Sequence, residues 1–349
     1  MKGAVVALDR LGGRRAAALI VDGALEDFLI DPPEDAPPAP GAILRGVAGR
    51  PMKGMGGVFV ELPEGRGFLR QAKGLRPGAA LTVQVAARPE PGKAVPVTPR
   101  LLFKSRYAIV TPDAPGLNIA RGITDPDIRA ALAGIAEEAM AGAAHGLILR
   151  SAAALADADA IRADIAAMRA RTDAVLADAC ATPALLVAAP DAHHLAWRDW
   201  TDPWPDTVAD APGSFVDHGV SERLDALLRP ETPLPGGAMM AIEPTRAMVA
   251  VDVNTGGDGS PAAGLKANIA AARALPRALR LRGLGGQVVI DFAPMPKKDR
   301  QTLDQTLKAA FRRDGTETTL AGWTPLGNYE LQRKRDRVPL AEALAGVTW

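Results

Sequence analysis

Cysteine is almost missing from this chain, with Cys180 the only one in 349 residues. That excludes an internal disulfide framework and any zinc site built from paired cysteines. Cys180 itself is expected as a small buried hydrophobe. Histidine is also scarce: His193 and His194 have no third ligand at a diagnostic spacing, so they read as structural or surface residues. No apolar run approaches the roughly 20 residues needed to cross a bilayer, and no polar tract has the composition of a disordered segment. The opening "MKGAVVALDRLGGRRAAALIVDG" carries an early lysine, but Asp9, Arg10 and the Arg14 and Arg15 pair break its apolar stretches, which suits a secretory leader badly. A soluble, cytoplasmic protein of two or three compact units is expected from this length and composition.

What is present is unevenly distributed. The formal net charge is only +1, yet from Gly41 to Lys104 eleven Lys and Arg stand against three Asp and Glu, and from Ser105 to Cys180 the count is seven against ten. A basic stretch of this kind is either a solvated face or a surface for a polyanion. Before it, "AVVAL", a Gly-Gly turn, "AAALIVDG" and "LEDFLID" read as a hairpin, closed off by the proline-rich connector "DPPEDAPPAPG". Within the basic stretch, "AILRGVAG", "GGVFVEL", "GRGFLR", "ALTVQVAA" and "AVPVTPRLLF" are short strands with Gly and Pro punctuation, the pattern of a small oligonucleotide-binding barrel. Phe59 and Phe68 fall on consecutive strands beside Arg66 and Arg70, as base stacking with phosphate attraction requires. The alternative place for both rings is the barrel core.

Downstream, the strand-like "RYAIVTP" and "HGLILRSAA" flank the helical "DPDIRAALAGIAEEAMAG", and "LADADAIRADIAAMRARTDAVLADA" repeats apolar residues at helical spacing. Arg150 and Ser151 end the apolar "GLIL", where a guanidinium and a hydroxyl could meet one phosphate or simply cap a strand at the surface. A tryptophan-rich piece with Trp197, Trp200 and Trp204 follows.

The last third reads as strand "AMMAIEP", strand "AMVAVDVN", a glycine loop, helix "GLKANIAAARALPRALRLRG", strand "GQVVIDF" and helix "DRQTLDQTLKAAFRR". Pro276 is expected to kink the first helix and Gly283 to end it. A strand, helix, strand order makes the two strands parallel through a right-handed crossover. If they are neighbours, Asp252 and Asp291 come together at one sheet edge, with Asn254 facing the same side as Asp252. One strand-end aspartate is commonly a turn former. Two so close repel unless a cation neutralises them, and an all-oxygen set suits Mg²⁺ or Mn²⁺. A cation there can polarise a phosphodiester and activate water, with Asn254 orienting the water or a phosphate oxygen.

At "IEPTRAMVAVDVNTG", "NIAAARALPRALRLRGLGGQVVIDFAPM" and "PLGNYELQRKR" the chain resembles the ribonuclease E/G family in the order and spacing of its catalytic-core signatures. The resemblance extends upstream over nearly the whole chain. It implies an α/β (α+β multidomain) fold: a ribonuclease-H-like scaffold in two parts, 1–40 and 184–237, an inserted S1-type oligonucleotide-binding barrel at 41–104, a 5′-sensor at 105–183, and a deoxyribonuclease-I-like α/β catalytic subdomain at 238–349. In that family two aspartates bind Mg²⁺ and an asparagine supports them, matching Asp252, Asp291 and Asn254. Arg150 and Ser151 match its 5′-monophosphate sensor, with serine where threonine is common, and Phe59, Phe68 and Lys93 match its RNA-binding barrel residues. The implied activity is hydrolysis of single-stranded RNA to 5′-phosphate and 3′-hydroxyl ends in RNA processing or decay, stimulated by a 5′-monophosphate. The family's Cys-Pro-x-Cys zinc link has no counterpart here, so no structural zinc is expected and any homodimer would not be zinc-linked. An RNA-binding protein of the same fold that cleaves weakly or not at all is the alternative, and a metal-dependent deoxyribonuclease would leave the sensor unexplained.

Overall fold

The structure, a computed structural model, describes residues 3–52, 54–70, 74–260 and 262–347. The chain begins with β1 (Ala4–Leu11), β2 (Arg14–Val21) and β3 (Ala24–Ile30). Next come β4 (Ile43–Met52), β5 (Gly57–Glu61), β6 (Arg66–Arg70), β7 (Ala80–Val85) and β8 (Val95–Thr98). The following block holds β9 (Phe103–Lys104), β10 (Ala108–Thr111), β11 (Leu117–Ile119), α1 (Pro126–Ala139), β12 (Gly146–Leu149) and α2 (Ala158–Leu176). After it lie β13 (Ala184–Val187), α3 (Ala192–Asp199), β14 (Thr207–Ala209), α4 (Ser214–Asp217) and α5 (Val220–Leu227). The last block comprises β15 (Glu231–Pro233), β16 (Met239–Pro244), β17 (Val249–Asn254), α6 (Ala263–Leu281), β18 (Gly286–Asp291), α7 (Arg300–Arg313), β19 (Thr318–Trp323), β20 (Tyr329–Arg333) and α8 (Leu340–Ala343). Among the described residues no helix is long and apolar enough to cross a membrane.

Contacts divide the chain into two compact units, Met1–Pro33 with Asp206–Trp349, and Glu34–Pro205. In the second unit, β4, β5, β6, β8 and β7 pair in that order and β7 returns to β4, closing a five-stranded barrel. Alternation builds it: Val60, Leu69, Val83, Val85, Val95 and Val97 fill the inside. The barrel has the five strands expected, but the end of the last expected stretch, Phe103–Lys104, forms β9 and joins the sheet β11-β12-β10-β9 of the next segment. That sheet and helices α1 and α2 enclose a core of Val110, Leu147, Leu149, Leu132, Ile161 and Ile165, which Ile43 of the barrel also enters. The expected second scaffold segment, 184–237, is divided at Pro205. Its first strand, β13, pairs with barrel strand β4, whereas β14 runs parallel to β1, and its last strand, β15, enters the sheet that follows.

Cys180 is exposed, not buried as its residue type suggested. It lies in the loop after α2, and connecting loops run over surfaces because their backbone polar groups need water. Hydrogen bonding to Thr182 and the nearby Arg45 lower its thiol from the ordinary value.

The first unit has two sheets. The expected hairpin is a meander of β1, β2 and β3, to which β14 adds, and Phe215, Val220 and Leu224 of α4 and α5 pack on it. The other sheet has the order β15-β16-β17-β18-β20-β19. Helix α6 joins β17 to β18, and the two strands are parallel neighbours. Val249, Val251, Val253, Val288 and Ile290 face a core with Leu275 and Leu279 of α6 and Leu303 and Leu307 of α7. Alternate residues of β17, namely Ala250, Asp252 and Asn254, are exposed on the opposite face.

Helix α6 runs through Pro276 without interruption. It ends at Gly283, where φ is 63° and the N–H groups of Gly283 and Leu284 donate to the carbonyls of Arg280 and Leu279. This paired capping pattern favours glycine at the left-handed position. A buried ionic network braces the same unit. Arg333 pairs with Asp314 at 2.6 Å, both side chains being 1% exposed, and Asp314 also receives Arg280. Arg280 continues to Glu26 at 2.6 Å, and Arg337 holds Asp27 through both nitrogens at 2.5 and 3.0 Å. Burial works against the Arg337 charge, but Asp27 holds its guanidinium above the ordinary value.

Candidate active site

The pairing register of β17 and β18 sets Asp252 directly opposite Asp291. Parallel neighbours are about 4.8 Å apart and paired residues share a face, so both carboxylates project from the exposed side of the sheet. Asn254, two residues on, donates from Nδ2 to Asp252 Oδ2 at 2.6 Å. That bond orients one carboxylate of the pair. Among the described residues no Lys, Arg or His pairs with Asp252 or Asp291, and no group of three or more His, Cys, Asp or Glu gathers as a metal centre. Two like charges on adjoining strands without a protein counter-ion fit a hard divalent cation whose remaining ligands are water and substrate oxygens. The chemistry of this donor set therefore fits Mg²⁺ or Mn²⁺, which Asp252 and Asp291 would hold.

The glycines after Asn254 have a geometric reason. Gly256 has φ 64°, and a Cβ there would stand 2.2 Å from the carbonyl oxygen of Gly237. The loop leaving the site thus crosses close over the turn before β16. Beyond Asp291, the buried Asn268 of α6 accepts from Ala293 N at 2.9 Å and donates to Ala293 O at 2.9 Å. Sequence reading missed this clamp, although a lone asparagine inside an apolar helix repeat was a visible signal. Asn268→Leu strands both backbone groups without partners, so a loss of about 1–3 kcal/mol is expected in denaturant unfolding.

Arg150 and Ser151 lie at the end of β12, but they face different surroundings. The Arg150 guanidinium donates to the carbonyls of Ser105 (2.5 Å), Arg106 (3.2 Å) and Arg198 (3.0 Å), and to Asp199 Oδ1 at 2.8 Å. Lys104 reaches the same Asp199 oxygen at 2.8 Å, and Arg198 holds its other oxygen at 2.7 Å. Burial works against the charge on Asp199, yet Arg198 and Lys104 hold its carboxyl well below the usual range. Burial pulls Lys104 down; Asp199 opposes this, and Arg150 and Arg198 add to it. Ser151 is exposed, opens a short 3₁₀ turn over Ser151–Leu155, and has its Oγ 3.7 Å from where a Cβ of Gly122 would stand. Gly122 had not been singled out in the sequence.

On the barrel, Phe59 and Phe68 are paired across β5 and β6, with ring centroids 5.4 Å apart edge to face. They occupy the outward positions of their strands, half-buried, alternating with inward Val58, Val60 and Leu69. Gly57 makes room for this, since a Cβ there would lie 2.6 Å from the Phe68 ring. Arg66 and Arg70 flank the pair on the same side of β6. Lys93 sits in the loop after β7, bonded to Glu90 at 2.5 Å. His194 is exposed, its ring tilted against Trp197 with centroids 5.5 Å apart, in keeping with a surface role.

The sequence model of the Ribonuclease E/G family matches residues 103–212 and 206–336. Ribonuclease E of Nostoc sp. is 27% identical over 353 residues, covering 84% of this chain and 51% of that protein. Ribonuclease G of Salmonella typhimurium is 34% identical over 138 residues, 37% of this chain and 28% of that protein. The chloroplastic ribonuclease E/G-like protein of Arabidopsis thaliana is 33% identical over 130 residues, 35% of this chain and 13% of that protein. The chain spans about half the length of the ribonuclease E relatives it matches, 51% and 45%. With both matched segments together taking in the β11-β12-β10-β9 sheet, Arg150, the paired aspartates and Asn254, the chain belongs to the ribonuclease E/G family.

Proposed function

We propose that the protein is a Mg²⁺-dependent endoribonuclease that hydrolyses single-stranded RNA to 5′-phosphate and 3′-hydroxyl ends, working in cytoplasmic RNA processing or decay. The observation that carries this reading is the register pairing of Asp252 with Asp291, beside Asn254, on an open sheet face. A protein that only bound RNA would gain nothing from two unneutralised carboxylates facing a polyanion. Mg²⁺, or Mn²⁺ in its place, would polarise the scissile phosphodiester and make water nucleophilic. Asp252 and Asp291 would hold the ion, and Asn254 would fix the Asp252 carboxylate while turning its amide oxygen to water or substrate. The two-sheet unit supports the ribonuclease-H-like and deoxyribonuclease-I-like assignments of its parts.

For the 5′-monophosphate, the Ser151 hydroxyl and the backbone at Gly122 supply the accessible contacts, and Arg150 contributes from within its cluster. The outward Phe59 and Phe68 offer faces for base stacking between Arg66 and Arg70, with Lys93 on the neighbouring loop. Phe59→Ala with Phe68→Ala is expected to weaken binding of short single-stranded RNA by about tenfold or more, and added salt should weaken wild-type binding steeply. A flat salt response, or unchanged affinity in the double variant, would place the RNA elsewhere.

The deciding experiment is cleavage of a short A/U-rich RNA carrying a 5′-monophosphate, with Mg²⁺ or with EDTA. Internal cuts that need the metal are expected. Binding without cleavage at every metal concentration would leave the non-cleaving RNA-binding protein as the reading.

A further inference from the structure

Arg106, in the loop between β9 and β10, is 7% exposed. Its guanidinium carbon lies 4.3 Å from the ring centroid of Trp204, 5.0 Å from that of Trp197 and 6.0 Å from that of Tyr107. It donates to the carbonyl of Trp197, and among the described residues no carboxylate pairs with it. Burying a guanidinium without a counter-ion is costly, and aromatic faces offset part of that cost. The two indoles that do so are themselves open to solvent: Trp197 is 49% exposed and Trp204 41%, whereas Trp200 between them is 7% exposed and packed.

These rings therefore do not fill a core. They stand on a buried cation, with the His194 ring 5.5 Å from Trp197 extending the surface. Arg198, Lys104 and Arg150 gather on Asp199 next to the Trp197 segment, and the exposed Asp202 lies two residues before Trp204. Arg106 is also tied directly to the sensor strand, since its carbonyl accepts from Arg150. An apolar protein surface would need a contiguous apolar patch to match it. Separate exposed π-faces beside a cluster of three cations fit instead a nucleobase joined to phosphates.

We propose that Trp197 and Trp204, backed by Arg106, form a base-stacking platform for single-stranded RNA, distinct from Phe59 and Phe68 on the barrel. It rests on the RNA-binding part of the proposed function and not on cleavage. Stacking tolerates any base, so the platform holds the strand without selecting a sequence.

The test is equilibrium binding in EDTA of a short single-stranded RNA and of variants made abasic at each position in turn. Trp197→Ala and Trp204→Ala are expected to lose about five- to hundredfold in affinity, as stacking of one base commonly contributes, and Trp197→Phe and Trp204→Phe to recover most of it. One abasic position should weaken wild-type binding by a similar factor and have no further effect in the double alanine variant. If an alanine variant does not fold, the phenylalanine variants decide: wild-type tryptophan fluorescence should be quenched by RNA, and each replacement should remove part of the quenching. Wild-type RNA binding that is indifferent to every Trp197 and Trp204 variant would overturn the platform alone. No RNA binding by the wild type would overturn the RNA reading with it. Self-association lost in the same variants, with RNA binding kept, would assign the rings to protein contact and overturn the proposal.

Discussion

Asp291→Asn is expected to lower metal-dependent internal cleavage of single-stranded RNA by at least about a hundredfold, while affinity measured in EDTA stays unchanged. The amide keeps the size and shape of the carboxylate and removes one of the two negative charges that face each other across β17 and β18. Asp252→Asn should have an equal or larger effect, because it also alters the acceptor that Asn254 holds at 2.6 Å. Asn254→Ala should cost less, since it frees a ligand and does not delete one. Raised Mg²⁺ should partly restore the Asn254→Ala variant and leave the aspartate variants inactive. Cleavage that persists in both aspartate variants would remove the paired acids from the chemistry, whatever their geometry.

The second large effect concerns stability. Asp314→Ala is expected to destabilise the protein by about 3–5 kcal/mol, measured by denaturant unfolding. Its carboxylate is shared by Arg333 and Arg280, and the Arg333 side chain is 1% exposed with no route to water. Removing the acid leaves a buried guanidinium whose remaining neighbour is the hydroxyl of Thr318 at 3.2 Å. Replacing both partners, Asp314→Leu with Arg333→Met, should cost less than the single change, because neither charge is then stranded. If Asp314→Ala unfolds like the wild type, the network is not a brace. Arg333 belongs to the "PLGNYELQRKR" stretch that carries part of the family resemblance, and its buried position on β20 makes it a support of the sheet beside the edge strand β19.

The sheet that carries Asp252 and Asp291 was readable because its elements are ordered by local pattern. Strand, helix, strand with valines alternating against Ala250, Asp252 and Asn254 leaves little freedom in how the sheet is assembled. The barrel was readable from its Gly and Pro punctuation. Outward placement of Phe59 and Phe68 was legible too, since both alternate with aliphatic residues, although each phenylalanine alone suggested core. What local pattern could not carry was pairing between distant segments. Asp199 lies far along the chain from Lys104 and Arg150, so nothing near Arg150 announced that its guanidinium would be drawn into a cluster. The same holds for β13 joining β4, and for β9 leaving the barrel for the next sheet.

The division of the chain also orders events during synthesis. Glu34–Pro205 is one continuous stretch, whereas the other unit draws on both ends of the chain. The barrel and its neighbouring sheet can therefore complete themselves as they leave the ribosome. Meanwhile β1, β2 and β3 must wait for β14, α4 and α5, for on the order of ten to thirty seconds at ordinary elongation speed. During that interval the apolar residues Val5, Ala7, Ile20 and Phe28 are without their later partners, and the edge of β1 that β14 will occupy is open to any passing strand. Until β14 arrives, that open edge is a place where strand addition from another chain would compete with correct pairing.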